Sequence, residues 1–376
     1  MFRHTADIAL EGVDGSVWNL SGPLAWGSPV QLEEGNIPAL FDAPVETTYK
    51  ERVGQAGSTY LGHRFLARVL ALNLTVFSDD KDPYDWARVD SEFRKALSYD
   101  RDAVLRVSTE MSGDRWLKVR LQEAPAFRGD RDPHDSSISQ YTVTLVAYDP
   151  WWHSGEDRDR FVFDGLNWHG GGVTVSNPTD VPCWPRWVLT APAKFQLPDV
   201  SFRDDEEKDR QIVLPFQPLG REVLVDTDPL QEMIVANDDT LLWAEMGGQF
   251  FRNPIPPYTP ETFVPVSVDP LPNLPLVLPD GWREWIADRI KEWAVALGQE
   301  EVFRRTPEDV AREIRKTITN APPPFLRPLS DPILEFLNID FIAQRIAEAW
   351  GSVNNMAGAT AQIRMERRWS RPWGLE

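Results

Sequence analysis

Residues 68–77, RVLALNLTVF, place Leu70, Leu72, Leu74 and Val76 on one parity, and Ser139–Tyr148 does the same with Tyr141, Val143, Leu145 and Ala147. Alternation sustained over ten residues is the period of a half-buried strand and is incompatible with the 3.6-residue period of a helix. The chain must therefore build a sheet with one wet face and one covered face. The cover is written between the two strands. Asp82 and Pro83 provide an N-cap and a first-turn proline, and Trp86, Val89, Phe93 and Leu97 follow at spacings of three, four and four, which lays one apolar stripe along a helix. Ser112, Gly113 and Asp114 separate the apolar runs Val104–Ser108 and Trp116–Leu121, the pattern of a hairpin. The first region is expected to be α+β with antiparallel strands.

The second region carries no convincing helical period. Short β-type runs recur between turn residues: Gly172–Val175, Trp187–Thr190, Ile212–Phe216, Arg221–Val225, Met233–Ala236 and Leu241–Glu245. That rhythm predicts a β-sandwich or jelly roll. Asp204, Asp205, Glu206 and Glu207 fall between two of the runs and read as a solvated hairpin tip. Nine prolines between Asn253 and Asp280 cannot donate to a ladder, so 253–280 reads as an edge-and-linker segment.

Helical signals return after Asp280. Trp282, Trp285, Ile286, Ile290, Trp293 and Leu297 form one stripe that Gly298 can close. Thr306, Pro307 and Asp309 resemble a capping box before Val310, Ile314 and Ile318. After Pro322–Pro324, Asp331 with Pro332 or Asp340 restarts helix toward Trp350 and Gly351, and Thr360–Trp369 reads as a final strand with Ala361, Ile363 and Met365 on one face.

Charge removes whole classes of function. The chain carries 39 Lys plus Arg against 58 Asp plus Glu, a formal charge of −19, the wrong sign for tracking phosphates or docking on an anionic membrane. The deficit is uneven: residues 1–150 net −7, residues 151–280 net −12, and residues 281–376 net zero. One cysteine, Cys183, excludes an intramolecular disulfide framework and a cysteine-rich metal site. The first residues lack the apolar core of a signal peptide and no 18-residue apolar run occurs, so the expectation is a chain made in the cytoplasm that stays soluble, with no membrane insertion.

No catalytic, cofactor-binding or metal-binding constellation emerges. His4, His63, His134, His153 and His169 are scattered without an HExxH pattern. Asp130, Asp132, His134 and Asp135 lack the central glycine and distal glutamate of a calcium loop and read as a solvated loop. Gly170, Gly171 and Gly172 open no helix and read as a β-turn. Sixteen tryptophans on an acidic, β-rich frame raise sugar binding as an alternative, with Trp184, Trp187 and Trp243 as the candidate platform beside the simpler reading of core packing. Arg364, Arg367 and Arg368, with Arg371, form a basic tail that in so acidic a chain suits an intersubunit or interdomain contact better than a nucleic-acid arm.

Three stretches resemble a known family. TVTLVAYDPWW at 142–152 runs a hydrophobic strand into an A-x-D-P-[FW]-W signature, in which Tyr148, Asp149, Pro150, Trp151 and Trp152 match. VTVSNPTDVPCWPRWVLTAP at 173–192, with Asn177 and Pro182, is similar to the opening strands of a galectin-like domain, and RRWSRPWG near the end is similar to long forms from phages of GC-rich Gram-positive, actinobacterial hosts. Together they resemble the distal tail proteins of siphophages. The resemblance implies a structural virion protein at the tail tip and no enzyme or cofactor. It implies a homohexameric ring that joins the tail-tube protein to the tail-tip hub protein, beside receptor-binding or other minor tail proteins, with DNA passing through unbound. The fold class so expected is α+β to mainly β. Residues 1–152 would be a ring-forming antiparallel β domain with one packed helix and 153–252 a galectin-like β-sandwich. Residues 253–280 would be the proline-rich segment and 281–376 a helical extension ending in a strand. An acidic wall suits a DNA conduit, because a basic one would hold the genome it must release.

Overall fold

The protein is described by a computed structural model over residues 5–36, 40–78, 83–164, 171–190, 192–218, 220–269, 292, 306–320 and 358–376. The helical stripe expected between Asp280 and Gly298 and the restart from Asp331 toward Trp350 lie outside the described residues. The chain divides into two compact units. The first comprises Met1–Glu156, Pro178–Pro182 and Glu366–Glu376, and the second Asp157–Asn177 and Cys183–Met365.

Unit one begins with β1 (Asp7–Glu11), β2 (Val17–Ser21), β3 (Val30–Leu32) and the ribbon of β4 (Val45–Lys50) with β5 (Thr59–Phe65). Then follow β6 (Arg68–Phe77), helix α1 (Pro83–Lys95), β7 (Ala103–Thr109), β8 (Gly113–Leu121), β9 (Ala126–Phe127), the single turn α2 (Pro133–Ser136) and β10 (Ile138–Ala147). All the pairings are antiparallel, in the order β2-β1-β7-β8-β10-β6-β3. The two alternating stretches are neighbours: β10 pairs β6 along its whole length, from Ile138 opposite Phe77 to Ala147 opposite Arg68. Their apolar parities are buried, as the alternation requires, and Trp86, Val89, Phe93 and Leu97 of the helix stripe are buried in the same core. Each such side chain contributes roughly 1.5–3 kcal/mol when taken fully from water. The Trp86 indole N–H donates to Ser139 Oγ at 3.0 Å, so the helix is tied to β10 by a polar contact as well. Asp132 caps α2 by accepting from the His134 N–H, which makes the loop around Asp130–Asp135 a capped turn.

The segment β11 (Trp152–Val162) carries the chain into unit two, where β12 (Gly171–Asn177), β13 (Arg186–Thr190), β14 (Phe195–Pro198), β15 (Gln211–Val213), β16 (Glu222–Asp226), β17 (Ile234–Ala236) and β18 (Thr259–Val268) form two antiparallel layers. One is β17-β16-β13 joined to β19 (Thr360–Trp369), and the other is β12-β18-β14-β15. Both layers share a single apolar core. Helix α3 (Pro307–Asn320) starts where the capping box predicts, with Thr306 Oγ1 accepting from the Asp309 N–H, and Val310 enters that core. No helix among the described residues is long and apolar enough to cross a membrane.

Four sequence readings need correction. Thr259–Val268, inside the proline-rich segment, is a ten-residue strand. Pro260 and Pro265 are tolerated because only Ser267 and Val268, which follow them, pair with β14, so β18 has one open edge over most of its length. Leu241–Glu245 is not a strand: Leu242–Glu245 form a 3-10 turn in which only Leu242 is anchored, and four residues are too few to separate the two periods. The strand expected to end at Phe216 stops at Val213; Pro215, two residues on, has no N–H to continue a ladder. Gly171 and Gly172 open β12 rather than a turn. A Cβ on Gly171 would fall 1.9 Å from the Phe161 ring and one on Gly172 2.3 Å from the Val264 carbonyl oxygen.

Candidate functional site

The AYDPWW stretch forms the end of β10, a turn and the start of β11 within unit one. Asp149 accepts from the Trp151 N–H at 3.3 Å, closing an Asx turn that the following proline pre-sets. Trp152 then points into the core, fully buried, with its indole N–H on the Leu40 carbonyl at 3.2 Å. Trp151 instead meets Phe65 of β5 edge to face, with centroids 4.5 Å apart. Tyr148 is exposed.

Two buried arginines organise what surrounds it. The Arg68 guanidinium donates to the carbonyls of Pro150 at 3.0 Å, Leu40 at 3.0 Å, Phe41, and Ser370 at 2.8 Å. Arg115 on β8 donates to the carbonyls of Arg371 at 2.8 Å and Gly374 at 2.9 Å and to Glu376 Oε1 at 2.8 Å. Desolvation lowers both to a pKa of about 10, against the opposing pull of Asp42 on Arg68 and of Glu376 and Asp180 on Arg115. Both stay charged at neutral pH, and their planar forks satisfy carbonyls that no strand partner reaches.

These arginines hold the segment Glu366–Glu376. Trp369 is buried, with its indole N–H on Ser154 Oγ at 2.7 Å. The Ser370 N–H donates to Asp180 at 3.1 Å, Arg371 pairs with Asp42, Trp373 packs edge to face on Phe41 at 4.9 Å, and the Gly374 N–H reaches Ser112 Oγ at 2.9 Å. The basic, aromatic tail is thus a strap laid across the first unit.

His153, next after the signature, sits at the root of the strap. Its Nδ1 lies 2.8 Å from Glu366 and its Nε2 3.1 Å from Asp149, and its ring stacks on Trp116. Burial alone would depress the imidazole, yet the hydrogen bonds and charges of Asp149 and Glu366 outweigh it and hold the pKa above the ordinary value. Burial likewise works to raise the Asp149 carboxyl, but His153, with help from Arg368, brings it below the ordinary value.

The remaining candidates disperse. Asn177 is buried and its amide donates to the carbonyls of Ile255 and Pro256, both at 3.1 Å, while Pro182 is exposed beside Cys183, which exchanges backbone hydrogen bonds with Ile255. Trp187, 1% exposed inside the unit-two core, is withdrawn from any sugar platform, while Trp184 is half-buried and Trp243 is 59% exposed on the 3-10 turn. Arg364 bonds Gln362 at 3.1 Å and Arg368 pairs with Glu366 at 3.6 Å; these and Arg367 are half-buried. Among the described residues no cluster of three His, Cys, Asp or Glu side chains is placed to hold a metal.

Sequence reasoning missed Arg68 and Arg115. Their signal was parity. Arg68 shares the buried face of Leu70, Leu72, Leu74 and Val76, and Arg115 that of Leu117 and Val119, and a charge on a buried parity must be neutralised or richly hydrogen-bonded.

No family model matches the chain. Two curated relatives do: the minor tail protein Gp27 of Mycobacterium phage L5 is 30% identical over 305 residues, spanning 68% of this chain and 89% of the relative. That of Mycobacterium phage D29 is 31% identical over 306 residues, with the same coverage. Among solved structures, the SPP1 Dit protein aligns with 70% of this chain and 94% of its own, at 13% identity and a TM-score of 0.46. The baseplate of phage p2 in its activated conformation with Sr aligns with 70% of this chain and 97% of its own, at 11% identity and a TM-score of 0.39.

Proposed function

Because this chain belongs to the family of mycobacteriophage minor tail proteins, we propose that it is the distal tail adaptor, a homohexameric ring at the tail tip that joins the tail tube to the hub and lines the DNA exit channel. The observation that carries the reading is the AYDPWW signature at 147–152, the feature through which the sequence resembles siphophage distal tail proteins. In this reading residues 1–152 form the ring, together with the strap of Glu366–Glu376. The second unit, with its two layers completed by β18 (Thr259–Val268) and by Thr360–Met365 of β19, is in this reading the galectin-like sandwich that projects outward.

Two physical properties support it. Residues 1–150, which supply nearly all of the proposed ring, carry a net charge of −7, the sign that repels passing phosphates instead of holding them. The strap seals the first unit with buried arginines that bond mainly to backbone carbonyls, which suits a particle that must survive outside the cell. The role needs no catalytic centre.

Negative-stain microscopy of the purified chain tests the proposal. Six-fold rings with a central hole are expected; discrete monomers at every concentration overturn it.

A further inference from the structure

The ribbon of β4 and β5 covers no part of the core. From Val45 to Ala67 every residue except Gly62 is exposed, including Val45, Tyr49, Tyr60, Leu61 and Phe65, and Val53 at the tip is fully exposed. The two strands pair only with each other. A two-stranded ribbon is marginal in water by itself, and its apolar side chains and open edges invite a partner. Strands of six and seven residues make an arm of roughly 20 Å.

The same unit holds a complementary concavity. A groove of about 910 Å³ lies between the β7–β8 turn, the start of β1 and the strap; Asp7 and Glu110 line it, beside Glu376, which Arg115 already pairs. Apolar groups join the carboxylates: Pro23, Met111 and Trp373 line the groove, Met111 92% exposed, and next to Pro23 in the chain Leu24 is 65% and Trp26 93% exposed. No residue of the ribbon lines it. Charge selects the occupant. Residues 45–66 carry Lys50, Arg52 and Arg64 against Glu46 and Glu51, and Arg64 pairs with Glu46 at 2.7 Å. The tip therefore presents Lys50 and Arg52 around Val53 with a net charge of +1, in a chain whose copies otherwise repel one another.

We propose that the β4–β5 ribbon is an intersubunit arm whose basic, apolar tip seats in the acidic, partly apolar groove of a second copy of this chain. The contact is head-to-tail, with donor and acceptor surfaces different, and such contacts close into rings when the rotation closes. The inference rests on the ring reading and assigns the surfaces that would make it.

The test uses the full chain. A Val53→Cys/Met111→Cys variant treated with a short bis-maleimide should give a ladder of covalent multimers on a denaturing gel. Either single variant should give none, and neither should Val53→Cys/Leu230→Cys, because Leu230 is as exposed as Met111 but does not line the groove. Cys183 is buried and does not compete. In light scattering, Lys50→Glu/Arg52→Glu should shift the mass toward monomer. If the unmodified chain forms rings while the Val53/Met111 pair links no better than Val53/Leu230, or if the charge reversal leaves the mass unchanged, the arm is not the contact and the ring reading stands. If the unmodified chain is monomeric at every concentration, the ring reading fails and this inference fails with it.

Discussion

Arg115 lies over the Trp369 indole, its guanidinium carbon 3.8 Å from the ring centroid, although 254 positions separate them in the chain. The contact is a desolvated cation on a π face, and the same guanidinium bonds the carbonyls of Arg371 and Gly374. Segment Glu366–Glu376 therefore completes the first unit as a structural part of it.

Arg115→Ala should lower the stability of the first unit by about 2–4 kcal/mol, since it leaves two carbonyls and a carboxylate short of a donor and removes the stacked cation. Arg115→Lys keeps the charge but not the fork and should recover less than half of the loss. Calorimetric unfolding of the three proteins measures the difference. An Arg115→Ala transition within a degree of the parent would mean that the strap contributes nothing.

The pH dependence follows from His153. Its pKa is raised in the folded chain, so its contribution is fully present below the usual histidine value of about 6.5 and is lost as pH rises through the higher folded value. Asp149 is depressed, so its contribution is present above the usual aspartate range near 4 and is lost as pH falls through the lower folded value. The pair should give the strap its greatest stability between those limits. His153→Phe preserves stacking on Trp116 and should flatten the alkaline side of the profile. Unfolding midpoints across pH 4 to 9 for both proteins decide it.

The parts of the fold legible in the sequence are those whose burial is local. β6, β10 and the α1 stripe announce themselves because each buries one face against a neighbour and keeps another in water. β18 was masked by Pro260 and Pro265, which a strand tolerates when one of its edges is open over most of its length, as here. The strap was legible as β19 followed by a basic tail, but not its destination. Arg68 reaches the strap carbonyl of Ser370 and Arg115 that of Arg371, 302 and 256 positions away, and no local period encodes such a pairing. The signature residues were legible as a motif, whereas the task of His153 depends on Glu366, 213 positions on.

Trp187 and Trp243 separate core packing from surface chemistry. Trp187→Ala should cost about 3–5 kcal/mol, because a fully buried indole leaves a cavity between the layers. Trp243→Ala should stay within about 0.5 kcal/mol, since its ring is largely solvated. Denaturant titrations of the second unit's transition test both, and a large Trp243 effect would show that the exposed indole carries a contact absent from this chain's own surface.

Gly172 faces Pro265 across the β12–β18 ladder, and a Cβ there would sit 2.3 Å from the Val264 carbonyl oxygen and 2.5 Å from the Phe263 ring. The ring can rotate away, but the carbonyl belongs to the backbone of β18 and can move only with the strand. Gly172→Ala should therefore cost about 1–3 kcal/mol, the usual penalty for forcing atoms into a closed site. Combining it with Phe263→Ala distinguishes the two obstacles. If the carbonyl is the barrier, the glycine substitution remains costly when the ring is gone. Full recovery in the double variant, read from the same denaturant midpoints, would assign the constraint to Phe263 alone.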